Sequence, residues 1–230
     1  MAVKVEMHLH VKGTSSCAHV GVKEIIKEYK DKGYSGIVCT NHFNETSYKY
    51  LFGITNNRKI KTFIKAFDSL KEEGLKNNIK VYFGMELALK GEDYCLTNKE
   101  CTEILVYGIT KEEFLELQKS IVYLSHEELL DMANKKGWVL VQSHPFRPRT
   151  RREKLVHGAE IINTHTKHDN KNNLAKEYAK ENNFIETCGS DYHDKGMAKG
   201  FLEFENIPFN EKELAKLLKE RKYKIPNINC

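Results

Sequence analysis

Histidines and carboxylates occur in this chain at spacings that suit metal binding, beginning with His8 and His10 in the segment MHLH. On a regular strand, residues two apart project from the same face, so both imidazoles can reach one ion. Asp191 and His193 repeat this spacing in the segment GSDYH. Neutral imidazole and carboxylate oxygen are ligands that suit zinc, iron and manganese. Two such pairs predict a metal site.

Three further residues of these types, His42, Glu86 and His144, each follow an apolar segment. A carboxylate buried after such a segment needs a charged partner or a metal ion, and we expect Glu86 to bridge two ions. His144 precedes Pro145, a residue that ends strands. Several imidazoles and carboxylates together hold ions about 3.5–4 Å apart, so the pattern predicts a multinuclear site.

Short stretches rich in β-branched residues alternate with longer amphipathic stretches, which predicts strands alternating with helices. Helices are expected in VKEIIKEYKDKG and over Thr62–Leu75, Lys111–Lys119, Ser125–Lys136, Lys171–Glu181 and Asn210–Lys222, and Ser125 through Glu128 fit a capping box. The predicted strands are Val3–His8, Gly36–Thr40, Lys80–Met85, Ile104–Gly108, Trp138–Ser143, Ala159–Asn163 and Phe184–Cys188.

Helices after nearly every strand predict an α/β fold with a parallel sheet, either open and doubly wound or closed into a (β/α) barrel. In both architectures the carboxyl ends of the strands form the ligand-binding face. No repeat or linker divides the chain, so residues 1–230 are expected to form a single domain. The long patternless segment from Phe43 to Lys61 is either a lid or an ordinary loop.

Composition excludes several classes of protein. With 40% hydrophobic and 30% charged residues, the 230-residue chain is typical of a globular domain rather than a disordered one. No apolar run approaches the roughly 20 residues of a membrane helix, and charges interrupt the start where a signal peptide is apolar, so we expect a cytoplasmic protein without a membrane partner. Six cysteines without a CxxC pair exclude a zinc ribbon. The net charge of +5 favours anionic partners.

The motifs HLH, TNH, GMEL, SHPFR and GSDYH occur in this order, and the sequence resembles the polymerase and histidinol phosphatase (PHP) superfamily over nearly its whole length. The resemblance implies a distorted (β/α)7 barrel whose carboxyl-end cleft holds two or three divalent ions and hydrolyses phosphoester bonds. The residues that match its metal-binding motifs are His8, His10, His42, Glu86, His144, Asp191 and His193.

The resemblance also implies how these ligands are shared. Glu86 would bridge two ions, with His8, His10 and Asp191 around one of them. His144 would lie near the second ion. A third ion would be served by His42 and His193.

The chain departs from the family pattern at several positions. Where many members have Asp in an SDG motif, this chain reads GTSSCAH, and Cys17 resembles the cysteine of an SxC variant in small PHP proteins. His19 is the alternative ligand, and a loop thiol without a ligand role is the third interpretation. A thiolate ligand would favour zinc or iron.

Asn41 replaces the Asp of TDH and can hydrogen-bond a ligand. Glu103 precedes the predicted strand Ile104–Gly108, so we expect a solvated carboxylate at the wrong end of that strand.

Arg147, in a segment that resembles the small-PHP motif HPFR, is expected to bind the substrate phosphate, since guanidinium pairs with phosphate bidentately. Arg149, Arg151 and Arg152 are expected to be solvated. His165 and His168 follow the sixth predicted strand and are not counted as ligands.

The predicted activity is metal-dependent hydrolysis of phosphoesters, with two or three Zn, Fe or Mn ions generating a bridging hydroxide and with Arg147 and Asp191 as catalytic residues. A small phosphomonoester is the preferred substrate because no recognition domain is appended. A nuclease is the second alternative, favoured by the arginines and the net charge of +5. A non-catalytic metal-binding module is the third.

Overall fold

The computed structural model describes residues 2–45, 56–92 and 100–228, with the backbone alone for residues 56–58. Most of the predicted lid segment lies outside these residues. The described helices are α1 (Val22–Asp31), α2 (Asn56–Lys76), α3 (Lys111–Leu117), α4 (His126–Lys136), α5 (Asn172–Glu181) and α6 (Glu211–Lys219). The described strands are β1 (Val3–Leu9), β2 (Tyr34–Cys39), β3 (His42–Phe43), β4 (Lys80–Phe83), β5 (Met85–Leu87), β6 (Ile104–Tyr107), β7 (Val139–Gln142), β8 (Gly158–Asn163), β9 (Ile185–Gly189) and β10 (Leu202–Phe204).

Local sequence signals explain where the helices begin and end. The capping box predicted at the start of α4 is confirmed, because the Ser125 side chain accepts from the Glu128 amide and Glu128 accepts from the Ser125 amide. Gly137 ends the same helix at a φ of 77°, a left-handed conformation that glycine adopts without steric cost. The apolar face of α1, which includes Ile25 and Tyr29, is buried as its periodicity predicts.

The strands form two sheets, a four-stranded one in the order β10-β1-β2-β4 and a six-stranded one in the order β3-β5-β6-β7-β8-β9. Backbone hydrogen bonds connect the two sheets: the Tyr192 amide donates to the His8 carbonyl (3.1 Å), and the His10 amide donates to the Tyr192 carbonyl (3.1 Å). Most of the pairings are parallel, so the predicted α/β class is confirmed as a mixed α/β fold with parallel sheets.

The predicted parallel sheet is parallel only in part. β6 runs antiparallel to both of its neighbours, β5 and β7, and β10 runs antiparallel to β1. The reversal of β6 places its amino end beside the carboxyl ends of the adjacent strands. Glu103, the residue before β6, therefore lies at the edge where the predicted metal ligands lie.

One predicted strand, Lys80–Met85, is in fact two, because the chain passes from one sheet to the other at Gly84. A Cβ atom at Gly84 would lie 2.9 Å from Val38 Cγ1 and 3.2 Å from the carbonyl oxygen of Val106, so this crossing leaves little room for a side chain. The strands β3 and β10, which were not predicted, have two and three residues, too few for a hydrophobic period to show.

The core is one continuous apolar cluster between the sheets and the helices, and its largest fully buried side chains include Trp138, Tyr107, Phe83 and Phe114. Such a core fixes strand positions because interiors pack at near-crystalline density. Among the described helices, none combines the length and hydrophobicity needed to cross a bilayer.

Candidate metal centre

The seven residues expected to bind metal converge at one edge of the two sheets. His8 lies near the carboxyl end of β1, His42 begins β3 and Glu86 lies in β5. The other four, His10, His144, Asp191 and His193, lie in the loops that follow β1, β7 and β9. All except His42 are buried.

Glu86 lies at the middle of the cluster. Its Oε1 is 3.2 Å from His144 Nε2 and 3.4 Å from His8 Nε2. Its Oε2 is 2.9 Å from His42 Nδ1 and 3.4 Å from His10 Nε2. Burial opposes ionisation of this carboxyl, but the His8 and His42 imidazoles outweigh burial and hold its pKa well below the usual range. Both oxygens of Glu86 are therefore available as anionic ligands.

A second set of atoms converges on Asp191. Its Oδ1 lies 3.4 Å from His8 Nε2 and 3.3 Å from His10 Nε2. These three buried atoms make no hydrogen bond to any described residue, and they belong to one group of ligand atoms within 4.8 Å of one another. Leaving a buried polar atom unpaired is costly, whereas a divalent cation among the three would satisfy all of them. The donor set fits zinc, iron or manganese.

Glu160, which the sequence analysis missed, orients two of the histidines. Its Oε1 lies 3.0 Å from His8 Nδ1, and its Oε2 accepts hydrogen bonds from the His144 amide (3.1 Å) and Asn163 Nδ2 (2.8 Å). When His8 Nδ1 donates to this carboxylate, its Nε2 lone pair faces Glu86 and Asp191, as a ligand requires. The available signal was a glutamate among the apolar residues of strand β8, beside Ala159, Ile161 and Ile162.

The backbone around the centre is held in unusual conformations. His144 has a φ of 30° and Asp191 a φ of 48°, values that few residues other than glycine adopt. At Gly189, a Cβ atom would lie 2.5 Å from His8 Cβ and 2.8 Å from Glu160 Oε1. Strain of this kind persists only where surrounding contacts enforce it, and it is concentrated at functional sites.

Glu103 lies in the centre, so the expectation of a solvated carboxylate is wrong. Its Oε1 is 3.6 Å from His42 Nδ1 and its Oε2 is 3.6 Å from His144 Nε2. Burial and, secondarily, the charge of Glu86 raise the pKa of Glu103. The error followed from assuming that β6 is parallel to its neighbours.

Of the two residues considered as the replacement for the SDG aspartate, Cys17 lies beside the histidines. Cys17 is exposed, and its Sγ lies 3.1 Å from Ser15 Oγ. Desolvation opposes ionisation of the thiol, but the nearby His193 and His42 outweigh it and lower its pKa to about 5. His193 Nδ1 donates to the Asp191 carbonyl (2.8 Å), which leaves Nε2 free to face the loop of Cys17. His19 is 58% exposed, and its Nδ1 lies 2.8 Å from Asp194 Oδ1.

Arg147 lies at the edge of the centre with its side chain only 13% exposed. Its Nη2 donates to Asp191 Oδ2 (2.6 Å) and Asn163 Oδ1 (3.3 Å), and its Nε donates to Asn170 Oδ1 (3.0 Å). Arg147 therefore orients Asp191 and leaves Oδ1 of that carboxylate unpaired. The other three arginines, Arg149, Arg151 and Arg152, are exposed as expected.

His165 also lines the site. It is buried, and its ring centroid lies 5.5 Å from that of His193. Its Nδ1 accepts a hydrogen bond from the Lys167 amide (3.2 Å), and burial lowers its pKa to about 4, so the ring is neutral near pH 7. The structure thus adds one neutral imidazole to the edge where Asp191 lies.

Comparison with known proteins finds likeness in structure only. No family model and no curated protein matches the sequence. A two-domain protein of Bacteroides vulgatus that contains a predicted PHP-like metal-dependent phosphoesterase matches with a TM-score of 0.65 and 17% identity, over 97% of this chain and 64% of that chain. A proposed metal-dependent phosphoesterase of Bifidobacterium adolescentis matches with a TM-score of 0.52 and 14% identity, over 94% and 95% of the two chains.

An amidohydrolase of Chromobacterium violaceum, solved with bound sulfate and without metal, matches with a TM-score of 0.58 and 12% identity, over 96% and 97% of the two chains. This chain shares its fold with these three structures. The resemblance read from its motifs is thereby confirmed at the level of the fold. The chain spans 64% of the length of the two-domain protein, so the PHP-like fold accounts for nearly all of this chain and part of that one.

Within this PHP-like fold, the structure brings together all seven residues matched to the family motifs, as well as Arg147 and Cys17. Of the positions at which the chain departs from the family pattern, Cys17 and Glu103 both lie near His42. Cys17 adds a thiol beside His42 and His193, and Glu103 adds a carboxylate beside His42 and His144.

Proposed function

We propose that this protein is a metal-dependent phosphomonoesterase that acts on a small phosphorylated metabolite at a centre of two or three divalent ions. The proposal depends above all on the unpaired, buried atoms of His8, His10 and Asp191, which converge on one point. The PHP-like phosphoesterases with the same fold support the same class of reaction. We also propose that the two sheets form a distorted (β/α)7 barrel.

The contacts around Glu86 suggest how the side chains would hold the ions. Glu86 would bridge two positions, because His8 and His144 approach one of its oxygens while His10 and His42 approach the other. The first position would be completed by His8, His10 and Asp191, and the second by His144 and Glu103. The third position would be held by His42 and His193, whose ring nitrogens form a group with one of His10, and Cys17 is the candidate that would complete it.

The chemistry of the reaction follows from the charges in the site. Divalent ions, when bound, lower the pKa of water and polarise a phosphoryl oxygen. Arg147 carries a fixed positive charge at the edge of the cluster and offers its guanidinium donors to the non-bridging oxygens of the substrate. Asp191, held by Arg147 through Oδ2, keeps Oδ1 directed at His8 and His10.

The proposal is tested by turnover of a phosphomonoester panel by metal-reconstituted protein. His8→Ala and Asp191→Ala should abolish measurable phosphate release and reduce the number of ions per chain found by plasma mass spectrometry. His126→Ala is the matched control, because that imidazole contacts Glu92 and Glu153 rather than Glu86. Unchanged phosphate release from pure samples of both centre variants would exclude the proposal.

A nuclease remains the second candidate, supported by the exposed arginines Arg149, Arg151 and Arg152 and the net charge of +5. Contacts with a nucleic-acid backbone make binding fall steeply with salt, whereas a small monoester shows a weak dependence. Hydrolysis of single-stranded DNA or RNA that declines steeply with salt and exceeds the hydrolysis of every monoester would favour the nuclease. Bound ions without any turnover would favour a non-catalytic module.

A further inference from the structure

The imidazoles around the metal centre differ in which ring nitrogen carries the proton, and the group that hydrogen-bonds to Nδ1 decides this. His193 Nδ1 lies 2.8 Å from the carbonyl oxygen of Asp191, which can only accept, so Nδ1 carries the proton and Nε2 keeps a lone pair. His8 Nδ1 lies 3.0 Å from Glu160 Oε1, with the same result. Both rings are therefore in the tautomer that binds a metal ion through Nε2.

His165 has the opposite arrangement. Its Nδ1 accepts a hydrogen bond from the Lys167 amide at 3.2 Å. Because a backbone amide can only donate, Nδ1 holds a lone pair, the ring is neutral and its proton is on Nε2. To bind a metal ion through Nε2, the ring would have to carry its proton on Nδ1, where it would face the Lys167 N–H. The loop thus fixes His165 as a hydrogen-bond donor.

His157 has the same tautomer at the other end of β8. Its Nδ1 accepts from the Leu140 amide (3.0 Å), and its Nε2 donates to Asn134 Oδ1 (2.9 Å). His157 precedes the amino end of β8, whereas His165 follows the carboxyl end, where the metal centre lies. The donor of His157 is satisfied within the protein, so this residue shows what the tautomer does when an acceptor is present.

The ring of His165 lies against the metal ligands. One of its ring nitrogens is within 4.8 Å of a ligand atom of Asp191 and of His193. The described residues offer no acceptor for its Nε2, since the hydrogen bonds of His165 use its amide, its carbonyl and Nδ1. Asp191 Oδ1, for example, makes no hydrogen bond to a described residue. The Nε2 donor is therefore available to an acceptor that enters beside Asp191.

Two buried asparagines hold His165 and Arg147 in one frame. Asn163 Oδ1 accepts from the His165 amide (3.0 Å) and from Arg147 Nη2 (3.3 Å). Asn170 Oδ1 accepts from Arg147 Nε (3.0 Å), while its Nδ2 donates to the His165 carbonyl (3.1 Å). Arg147 in turn contacts Asp191 directly. Donors fixed in this way need little reorganisation when an anion binds between them.

We propose that His165 donates a hydrogen bond from Nε2 to a non-bridging oxygen of the substrate's phosphoryl group, beside Arg147, and does not bind metal. This inference rests on the proposed phosphomonoesterase function and names a further residue that touches the substrate. A neutral donor suits this position, because a second cation beside Arg147 would repel both the guanidinium and the ions. A neutral N–H adds a contact to the phosphoryl oxygen without that repulsion.

Inorganic phosphate is the first probe, titrated calorimetrically into the whole chain after reconstitution with zinc. His165→Leu removes the donor and should weaken phosphate binding about 10- to 100-fold, the usual effect of one hydrogen bond to a charged group. His165→Gln should keep the affinity within about threefold, because its side-chain amide can donate from nearly the same place. Plasma mass spectrometry should find the wild-type number of ions per chain in both variants.

His157→Leu is the matched control for this titration. Like His165→Leu, it deprives a backbone amide of an imidazole acceptor, but at the amino end of β8. Its phosphate affinity and its metal content should equal those of the wild type. Weaker phosphate binding in this control, equal to that of His165→Leu, would overturn the proposal.

The position of the proton is measured on the wild type, without a variant and without turnover. In a long-range ¹H–¹⁵N correlation spectrum at neutral pH, His165 should show a protonated Nε2 and an unprotonated Nδ1, as His157 does. Addition of zinc should shift the Nε2 signals of His8 and His193 as ligands. His165 should keep its proton on Nε2 throughout.

The outcomes separate the two proposals. A proton on Nδ1 of His165, loss of its Nε2 proton on zinc binding, or a lost ion in His165→Leu would overturn the donor role. Unchanged phosphate binding in His165→Leu, or an equal loss in His165→Gln, would also overturn it. Phosphate binding that depends on His165, without hydrolysis of any phosphoester, would support the donor role and contradict the proposed function.

Discussion

Among the described residues, histidine and glutamate side chains lie together in two places, the metal centre and an outer cluster formed by Glu92, His126, Arg151 and Glu153. In the outer cluster, His126 Nε2 lies 3.1 Å from Glu92 Oε1, and its Nδ1 lies 3.4 Å from Glu153 Oε2. Arg151 pairs with Glu92 there. Both clusters contain histidine, glutamate and arginine nearby. Among the described residues, however, only the metal centre provides groups of three possible ligand atoms that all lie within 4.8 Å of one another.

The two clusters differ in the source of the positive charge that lies near their carboxylates. In the outer cluster Arg151 pairs with Glu92 and lies 3.9 Å from Glu153, so an arginine of the protein supplies the positive charge there, although Glu92 Oε2 and His126 Nδ1 make no hydrogen bond to a described residue. In the metal centre, Arg147 reaches Oδ2 of Asp191 and leaves Oδ1 unpaired beside His8 and His10. Residue types alone therefore do not define a metal site, and the position of the nearest fixed cation distinguishes the two clusters.

The largest effect should come from Glu86→Ala. Because Glu86 is within 3.4 Å of four imidazoles, its loss removes an anionic ligand from the middle of the centre. Metal affinity should fall on the order of 1000-fold, about 4 kcal/mol, in a competition titration with a chelator. Retention of wild-type affinity would show that Glu86 is not a ligand in this centre.

The next largest effect should come from replacing Glu6, a fully buried carboxyl outside both clusters that makes the free energy of unfolding depend on pH. Its oxygens accept from the amides of His8 and Ser190 and from the Tyr29 hydroxyl, but burial dominates and raises its pKa to about 7. The folded state thus keeps this proton between pH 4.5 and about 7 while the unfolded state has lost it, so stability falls as pH rises through that window.

Glu6→Gln should remove this fall, which amounts to about 3 kcal/mol. Urea unfolding of metal-free wild type and variant across this pH window measures the difference directly. A constant difference between the two proteins at every pH would contradict the assignment of the buried proton to Glu6.

Glu160→Gln should weaken metal binding by about 10- to 100-fold while leaving the fold intact. The amide can still accept from the His144 backbone, but it lacks the charge that fixes His8 with Nδ1 protonated. Calorimetric titration of the metal measures the loss. An unchanged affinity would show that His8 keeps its orientation through packing alone.

The smallest effect should come from His126→Gln in the outer cluster. Glu92 and Glu153 outweigh burial and raise the pKa of His126, so its contribution is complete below pH 6.5 and is lost as pH rises through the folded pKa. The variant should lose up to about 1 kcal/mol of unfolding free energy near pH 6 and less at higher pH. Its metal content should equal that of the wild type, and a lost ion would contradict the contrast between the clusters.

The sequence predicted much of the centre because its ligands follow apolar segments. His8 and His10 were found from their spacing, and Glu86 was found because a carboxylate after a buried strand needs a partner. These inferences depend only on local pattern and on the rule that carboxyl ends of parallel strands form the binding face. The helices α1 and α4 were predicted for the same local reasons, periodicity and capping.

The sequence could not show strand direction or side-chain partners. Glu103 was misplaced because nothing in the pattern ILVY distinguishes a parallel strand from an antiparallel one. Glu160 was missed because a single glutamate within a strand gives no sign of which distant imidazole it contacts. The outer cluster illustrates the opposite error. Its residue types alone suggest metal ligands, but the structure places Arg151 beside Glu92, where it supplies the positive charge.

The pairing of β1 has a consequence for when a newly made chain can take up metal. β1 carries His8, pairs with β10 near residues 202–204, and bonds to Tyr192, so the first ligands are positioned by segments far along the chain. A nascent chain that has emerged from the ribosome only as far as Asn163 has no Asp191 or His193. Contacts of such long sequence separation form late in folding, so metal capture follows the docking of these distant segments rather than guiding it.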